Sequence, residues 1–120
     1  MDPIGRVDAV VIDGADTVRL AEFWSSLFAT AIRANENDGH YIDVAGNGST
    51  PMLRFQRVPE GKTIKNRLHL DIEVEDLERA IAAVEALGGR VMHPMRTEYG
   101  WDYIVMGDPE DNEFCLIKRS

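Results

Sequence analysis

The sequence predicts an α+β fold made of two β-α-β-β-β modules, and three observations carry that expectation. Asp16, Arg19 and Leu27 recur sixty residues later as Asp76, Arg79 and Leu87. In both copies an apolar stretch, Val7–Ile12 or Leu68–Val74, leads into an acidic residue and then a helix-like pattern. Short β-branched runs separated by Gly, Asn and Pro fill the rest of each half. Neither half can bury its apolar face alone, so the halves are expected to pack into one domain with a site in the cleft between them. The module boundaries fall at about residues 6–58 and 66–118, with residues 59–65 as linker.

In the first half, Arg6–Ile12 reads as a strand rich in β-branched bulk. Asp16 is placed to cap the next helix, where Leu20, Phe23, Trp24, Leu27 and Phe28 make one wide apolar stripe. Strands are expected at Ala31–Ala34, His40–Val44 and Met52–Val58, with Gly46-Asn47-Gly48 turning the chain between the last two. The Gly-, Lys- and Pro-rich stretch from Pro59 joins the halves. In the second half, Leu68, Leu70, Ile72 and Val74 alternate with Arg67, His69, Asp71 and Glu73, the period of a strand with one buried face. Asp76 caps a helix whose Leu77, Ala80, Ile81, Val84 and Leu87 face one way, and Gly88-Gly89 stops it. Strands at Arg90–His93, Tyr103–Met106 and Glu113–Ile117 complete the module, with Asp108-Pro109 opening the last turn.

Composition narrows the function classes. A 44% hydrophobic and 28% charged chain is ordinary for a globular protein. A formal charge of −8 argues against nucleic-acid binding, which needs a basic surface. No apolar run reaches the roughly 20 residues of a membrane helix, and the N-terminus lacks a signal-peptide pattern. A lone cysteine, Cys115, fits a reducing cytoplasm. No Gly-rich phosphate loop, paired-cysteine zinc spacing or Gly-x-Ser-x-Gly elbow occurs.

Strand parity locates the candidate chemistry. If Leu68, Leu70 and Ile72 face the helix, then Arg67, His69, Asp71 and Glu73 face the open side of the sheet. Phe114 and Leu116 send Glu113 and Cys115 to the same side, and the strand before Val58 adds Arg54 and Gln56. His69 is either a base or metal ligand, or a histidine hydrogen-bonded within the sheet. Glu113 is either an acid–base group or a carboxylate paired with Arg67 or Arg54. Cys115 is either a thiolate ligand or a small buried hydrophobe, the reading that free cysteines favour. Trp101 and Tyr103 suit a pocket wall, whereas Phe23 and Trp24 suit the core. His40 and His93 have no indicated partner.

Several phrases then carry a family resemblance. Phe55-Gln56-x-Val58-Pro59-Glu60, Ala21-Glu22-Phe23-Trp24, Lys65-Asn66-Arg67-Leu68-His69-Leu70-Asp71 and Asp108-Pro109-Glu110-x-Asn112-Glu113-Phe114-Cys115 resemble the glyoxalase-like branch of the vicinal oxygen chelate superfamily. That superfamily also includes bleomycin-resistance proteins, extradiol dioxygenases and fosfomycin-resistance enzymes. The resemblance implies a curved, incomplete barrel, a homodimer, and in its metal enzymes a divalent ion held by the first and last strands of each module. Carried onto this chain, His69 matches one ligand position. Ala9 or Asp8 stands at a second, Cys115 where a glutamate is usual with Glu113 two residues earlier, and Gln56 or Arg54 near the fourth. The set His69, Glu113 and Asp8 is thus incomplete for an octahedral ion, and lactoylglutathione lyase activity is not expected. A Cys–His–carboxylate zinc site is the other metal option. Asp111 stands where the family's turn has glycine. Two functions follow. One is a lyase- or isomerase-type enzyme acting on a small oxygenated metabolite. The other is a metal-free protein of the bleomycin-resistance kind, binding a small and preferably cationic molecule.

Overall fold

The computed structural model describes residues 1–120, which divide into two compact units, Met1–Glu60 and Gly61–Ser120. The first unit runs β1 (Val10–Gly14), α1 (Thr17–Phe28), β2 (Ile32–Glu36), β3 (Tyr41–Val44) and β4 (Leu53–Arg57). Its sheet order is β1-β4-β3-β2, with β1 parallel to β4 and the other pairs antiparallel. The second unit runs β5 (Asp71–Glu73), α2 (Leu77–Ala86), β6 (Arg90–Val91), β7 (Arg96–Glu98), β8 (Trp101–Gly107) and β9 (Glu113–Arg119). Here the order is β5-β9-β8-β6, again with the first strand parallel to the last, and β7 pairs with the start of β8. Both units therefore share one topology, and the fold is α+β. No helix is long and apolar enough to cross a membrane.

The helix starts are matched across the sixty-residue offset. Asp16 accepts a hydrogen bond from the Arg19 N–H at 3.1 Å, and Asp76 accepts one from the Arg79 N–H at the same distance. Each satisfies a backbone donor that the first turn leaves orphaned. The ends differ: Ala29 closes α1 in the left-handed region at φ 53°, whereas Gly88 takes φ 105° beyond α2. In the second case glycine carries the conformation without a Cβ penalty. Thr17, buried at the start of α1, donates to the Gly39 carbonyl and ties the helix to the β2–β3 turn.

Each unit has its own core. Leu20, Phe23 and Trp24 of α1 are buried together with Ile42, Val44, Leu53 and Phe55 of β3 and β4, the strands α1 packs against. Trp24 meets Phe23 edge-on at 5.4 Å and stacks on Phe28 at 5.8 Å. In the second unit Leu77 and Val84 are buried, as are Ile104, Met106, Phe114 and Leu116 of the sheet. A fully buried side chain of this size contributes roughly 1.5–3 kcal/mol relative to exposure.

Four expectations need correction. Residues 6–9 lie outside β1, and Val7 is 79% exposed. Leu68 is 68% exposed because β5 is only three residues long, so the alternation begins before the strand does. Leu27 and Ile81 are half-buried rather than fully enclosed. The second unit also carries an extra strand, β7. It turns into β8 through Tyr99 and Gly100, both at positive φ (52° and 81°), as a two-residue hairpin of the twist-matched kind requires.

Replacing either cap, Asp16→Ala or Asp76→Ala, is expected to cost about 1 kcal/mol in urea unfolding, while Asn at either position costs far less. Equal losses at the two positions are the outcome that the matched geometry requires.

Candidate functional site

Cross-strand register in the second unit gathers polar and aromatic side chains on one face. Asp71 of β5 lies opposite Cys115 of β9, which lies opposite Val105 of β8; Tyr103 lies opposite Ile117. Ile104, Met106, Phe114 and Leu116 are buried, as parity demands for alternate positions, while Trp101, Tyr103 and Val105 line a cavity of about 800 Å³. Asp71, Glu113, Cys115 and Ile117 complete that wall, together with His69 just before β5. Arg96 and Glu98 of β7, Tyr99 of its turn, and His93 and Pro94 also line it.

A three-residue polar cluster sits on this face. His69 Nδ1 is 3.1 Å from Asp71 Oδ1, and both side chains remain substantially exposed. Cys115 is buried beside them, and the donor atoms of the three residues lie within 4.8 Å of one another. Burial pushes the Cys115 thiol up to about 11, helped by the charge of Asp71, a hydrogen bond to it and the charge of Glu113; Lys65 opposes the shift. At neutral pH this cysteine is a thiol, and a poor nucleophile.

Glu113 has a different task. Its buried carboxylate is 2.8 Å from Lys62 Nζ and accepts from the Asn66 N–H at 3.1 Å, while the Glu113 N–H donates to Asn66 Oδ1 at 3.3 Å. Burial pushes its carboxyl up, but Lys62, the Asn66 amide and the nearby charge of Lys65 outweigh burial and hold it below the ordinary carboxylate range. The sequence reading proposed Arg67 or Arg54 as its cation, and the structure supplies Lys62 instead. Arg67 is exposed and lines neither this cavity nor the one in the first unit. Arg54 is held in a fork by Asp43 at 2.7 and 3.1 Å, its neighbour across β3 and β4, with Asp8 at 3.4 Å. Those bonds to Asp43 raise the guanidinium pKa still further.

The candidate residues therefore fall into two groups. His69, Asp71, Trp101, Tyr103, Glu113 and Cys115 share the second unit's cavity. Arg54 and Gln56 line a cavity of about 480 Å³ in the first unit, with Asp8 on Arg54. Sequence reasoning missed Arg96, Glu98 and Tyr99 because it missed β7, although a two-residue Tyr-Gly turn was a usable hairpin signal. It gave His93 no role, and Lys62 and Asn66 carried no local pattern that pointed to Glu113.

The sequence profile of the glyoxalase-like domain family matches residues 9–117. The chain belongs to this family. A glyoxalase/bleomycin resistance protein/dioxygenase family enzyme from Burkholderia phytofirmans PsJN superposes with a TM-score of 0.76 at 17% identity, over 94% of this chain and 98% of that one. An antibiotic-binding protein from Streptomyces sp. CB03234, TnmS3, gives 0.72 at 19% identity over 100% of both chains. The fosfomycin resistance protein FosX of Mesorhizobium loti gives 0.72 at 14% identity, over 98% of this chain and 95% of that one. At these identities the likeness establishes the fold alone. No match is found among curated proteins. Vicinal oxygen chelate proteins often hold a divalent ion, but the set His69, Glu113 and Asp8 does not suit one in this glyoxalase-like chain. Lys62 and the Asn66 amide already occupy the Glu113 carboxylate, and Asp8 is bonded to Arg54.

The Glu113 contacts fix a pH dependence. Because its folded pKa lies below the ordinary 4.5, its contribution to stability is complete above about pH 4.5 and disappears as pH falls through the lowered folded value. Glu113→Gln is expected to cost about 1–3 kcal/mol at pH 7. Thermal melts of both proteins should converge as the pH drops below that window; a gap that persists in acid would assign the loss to packing instead.

Proposed function

We propose that this glyoxalase-like protein binds a small organic molecule in the second unit's cavity, a planar aromatic cation being the best fit. The observation that carries this reading is the cavity itself. Its volume of about 800 Å³ suits a drug-sized ligand, and Tyr99, Trp101 and Tyr103 offer aromatic surface beside the Asp71 carboxylate. The Arg119 guanidinium lies 4.3 Å from the Trp101 ring centroid, which holds that ring in place. The net charge of −8 favours a cationic ligand at long range. The likeness to an antibiotic-binding protein supports the same reading. A cytoplasmic homodimer in which both modules act as one domain belongs to this proposal, supported by the family resemblance and the single free cysteine.

One contact favours an enzyme of lyase or isomerase type acting on a small oxygenated metabolite. Asp71 Oδ1 lies 3.1 Å from His69 Nδ1, a carboxylate–imidazole contact of the kind that leaves the other ring nitrogen to exchange protons. Mass spectrometry of the compound released after incubation separates the two: an unchanged ligand supports binding, and a converted one supports catalysis.

Fluorescence titration with planar aromatic amines tests the binding reading, since Trp24 is buried in the first core and Trp101 lines the cavity. The expected result is saturable quenching that Trp101→Ala abolishes and that Tyr103→Ala weakens about tenfold, or roughly 1.4 kcal/mol. Asp71→Asn should weaken charged ligands and spare neutral analogues. Equal binding by wild type and Tyr103→Ala would remove the cavity as the site.

A further inference from the structure

We propose that Asn47, in the turn between β3 and β4, is a site of spontaneous covalent modification. The main-chain nitrogen of Gly48 displaces the side-chain amide there, and the residue ends as aspartate or isoaspartate. The site lies in the first unit and is independent of any molecule in the second unit's cavity. Among Asn35, Asn37, Asn47, Asn66 and Asn112, Asn47 alone precedes a glycine.

The two glycines beside Asn47 do different things. Asn47 and Thr50 form an isolated antiparallel bridge around Gly48 and Ser49, and residues 46–49 are all exposed. Gly46 closes the base of this turn. A Cβ there would stand 2.5 Å from the Thr50 carbonyl oxygen and 2.8 Å from the Met52 nitrogen, so only glycine fits. Gly48 is the opposite case: its φ is not positive, and a Cβ on it would meet nothing within 4 Å. Neither conformation nor space calls for glycine at this position. What the missing Cβ does is leave the Gly48 nitrogen open to close approach.

The side chain of Asn47 is arranged for that approach. Its Oδ1 accepts from the Ser49 N–H at 2.8 Å and from the Ser49 hydroxyl at 3.0 Å, the turn-capping habit of asparagine. Both donors draw electron density from Cγ, and both bonds strengthen as the oxygen takes negative charge during attack. The Gly48 N–H donates to no acceptor, so its proton can be removed without breaking a hydrogen bond. The bond that closes the turn, from the Thr50 N–H to the Asn47 carbonyl, is long at 3.4 Å. Local opening of the tip, which ring closure requires, therefore gives up little. Asn66 and Asn112 are the contrast. Their Nδ2 atoms donate to the Leu68 carbonyl at 3.2 Å and to Asp108 Oδ2 at 3.0 Å, and bulky Arg67 and Glu113 follow them.

The chemistry needs only water. A base from solvent takes the Gly48 amide proton, and the nitrogen forms a bond to Asn47 Cγ. The tetrahedral oxyanion collapses, the Cγ–Nδ2 bond breaks, and the amide group leaves as ammonia after gaining a proton from water. The five-membered succinimide then takes up one water molecule. Opening at Cγ restores the ordinary main chain as aspartate, whereas opening at the main-chain carbonyl leaves isoaspartate. One water enters, one ammonia leaves, and nothing is oxidised or reduced. Either product adds a negative charge to the turn, and isoaspartate also inserts a methylene into the main chain between the bridge partners. An exposed isoaspartyl carboxylate is a substrate for methyl transfer from S-adenosylmethionine.

The test is to age the full-length protein in mildly alkaline and mildly acidic buffer and to follow every asparagine by peptide mass mapping. Labelling with an isoaspartyl methyltransferase scores isoaspartate. The expected result is conversion at Asn47 ahead of the other asparagines, faster in the alkaline buffer, with both products formed. Gly48→Ala should slow it by about tenfold or more, because a Cβ hinders the attacking nitrogen. Ser49→Ala removes the hydroxyl donor and keeps the amide. It should slow conversion several-fold in the folded protein and leave the rate in urea unchanged, which a sequence effect alone would not do. Circular dichroism confirms that the variants fold, and either variant suffices if the other does not. Conversion first at another asparagine, a wild-type rate in Gly48→Ala, or a Ser49→Ala effect that is absent from the folded protein or persists in urea would each overturn the proposal.

Discussion

Parallel pairing of the first and last strands closes each unit, and the rest of the architecture depends on it. A parallel neighbour cannot be reached through a tight hairpin, so the helix and the remaining strands must all lie between the two partners in the chain. In the second unit this joins β5 to β9 across more than forty residues, with Asp71 opposite Cys115, Ile72 opposite Leu116 and Glu73 opposite Ile117. A register slip of one residue would exchange the two faces of β9, turning Leu116 to the cavity side and Glu113 and Cys115 toward α2. The apolar demand of the helix-facing side thus fixes where the polar cluster stands. Core and site are two faces of one constraint.

The two units solve the same folding problem and spend their open faces differently. In the first, Arg54 is locked by Asp43 and Asp8, so the equivalent of the cysteine position carries an internal ion-pair network. In the second, the corresponding residues have donors directed at one another and an aromatic wall beside them. The same strand order occurs in both units, and the second alone gathers the donor set.

Local rules made much of this legible. Asp16 and Asp76 could be read as caps because a cap acts three residues ahead, within reach of any sequence window. The parity of β9 was legible because Phe114 and Leu116 are large enough to declare their face. The last turn survives the replacement of glycine by Asp111, which adopts φ 64° and bonds Arg90 at 2.8 Å, while Asp108 accepts from the Glu110 and Asn112 N–H groups. Contacts that span the chain were not legible. Lys62 and Glu113 are far apart in sequence and share no periodicity, and Asp43 became the partner of Arg54 only once β3 and β4 were in register. Leu68 misled because its alternation continues a pattern that the three-residue β5 does not.

The Lys62–Glu113–Asn66 cluster also bears on how the chain could be divided. The second unit begins with its own fastening, since Lys62 and Asn66 are tied to the first residue of β9. The free joint is thus shorter than the Gly- and Pro-bearing linker suggests. A gene split after Gly61 would give a second fragment that keeps its clamp, whereas a split after Asn66 would leave a buried carboxylate without its cation. An engineered two-chain version keeps the Glu113 clamp in one fragment only at the earlier boundary.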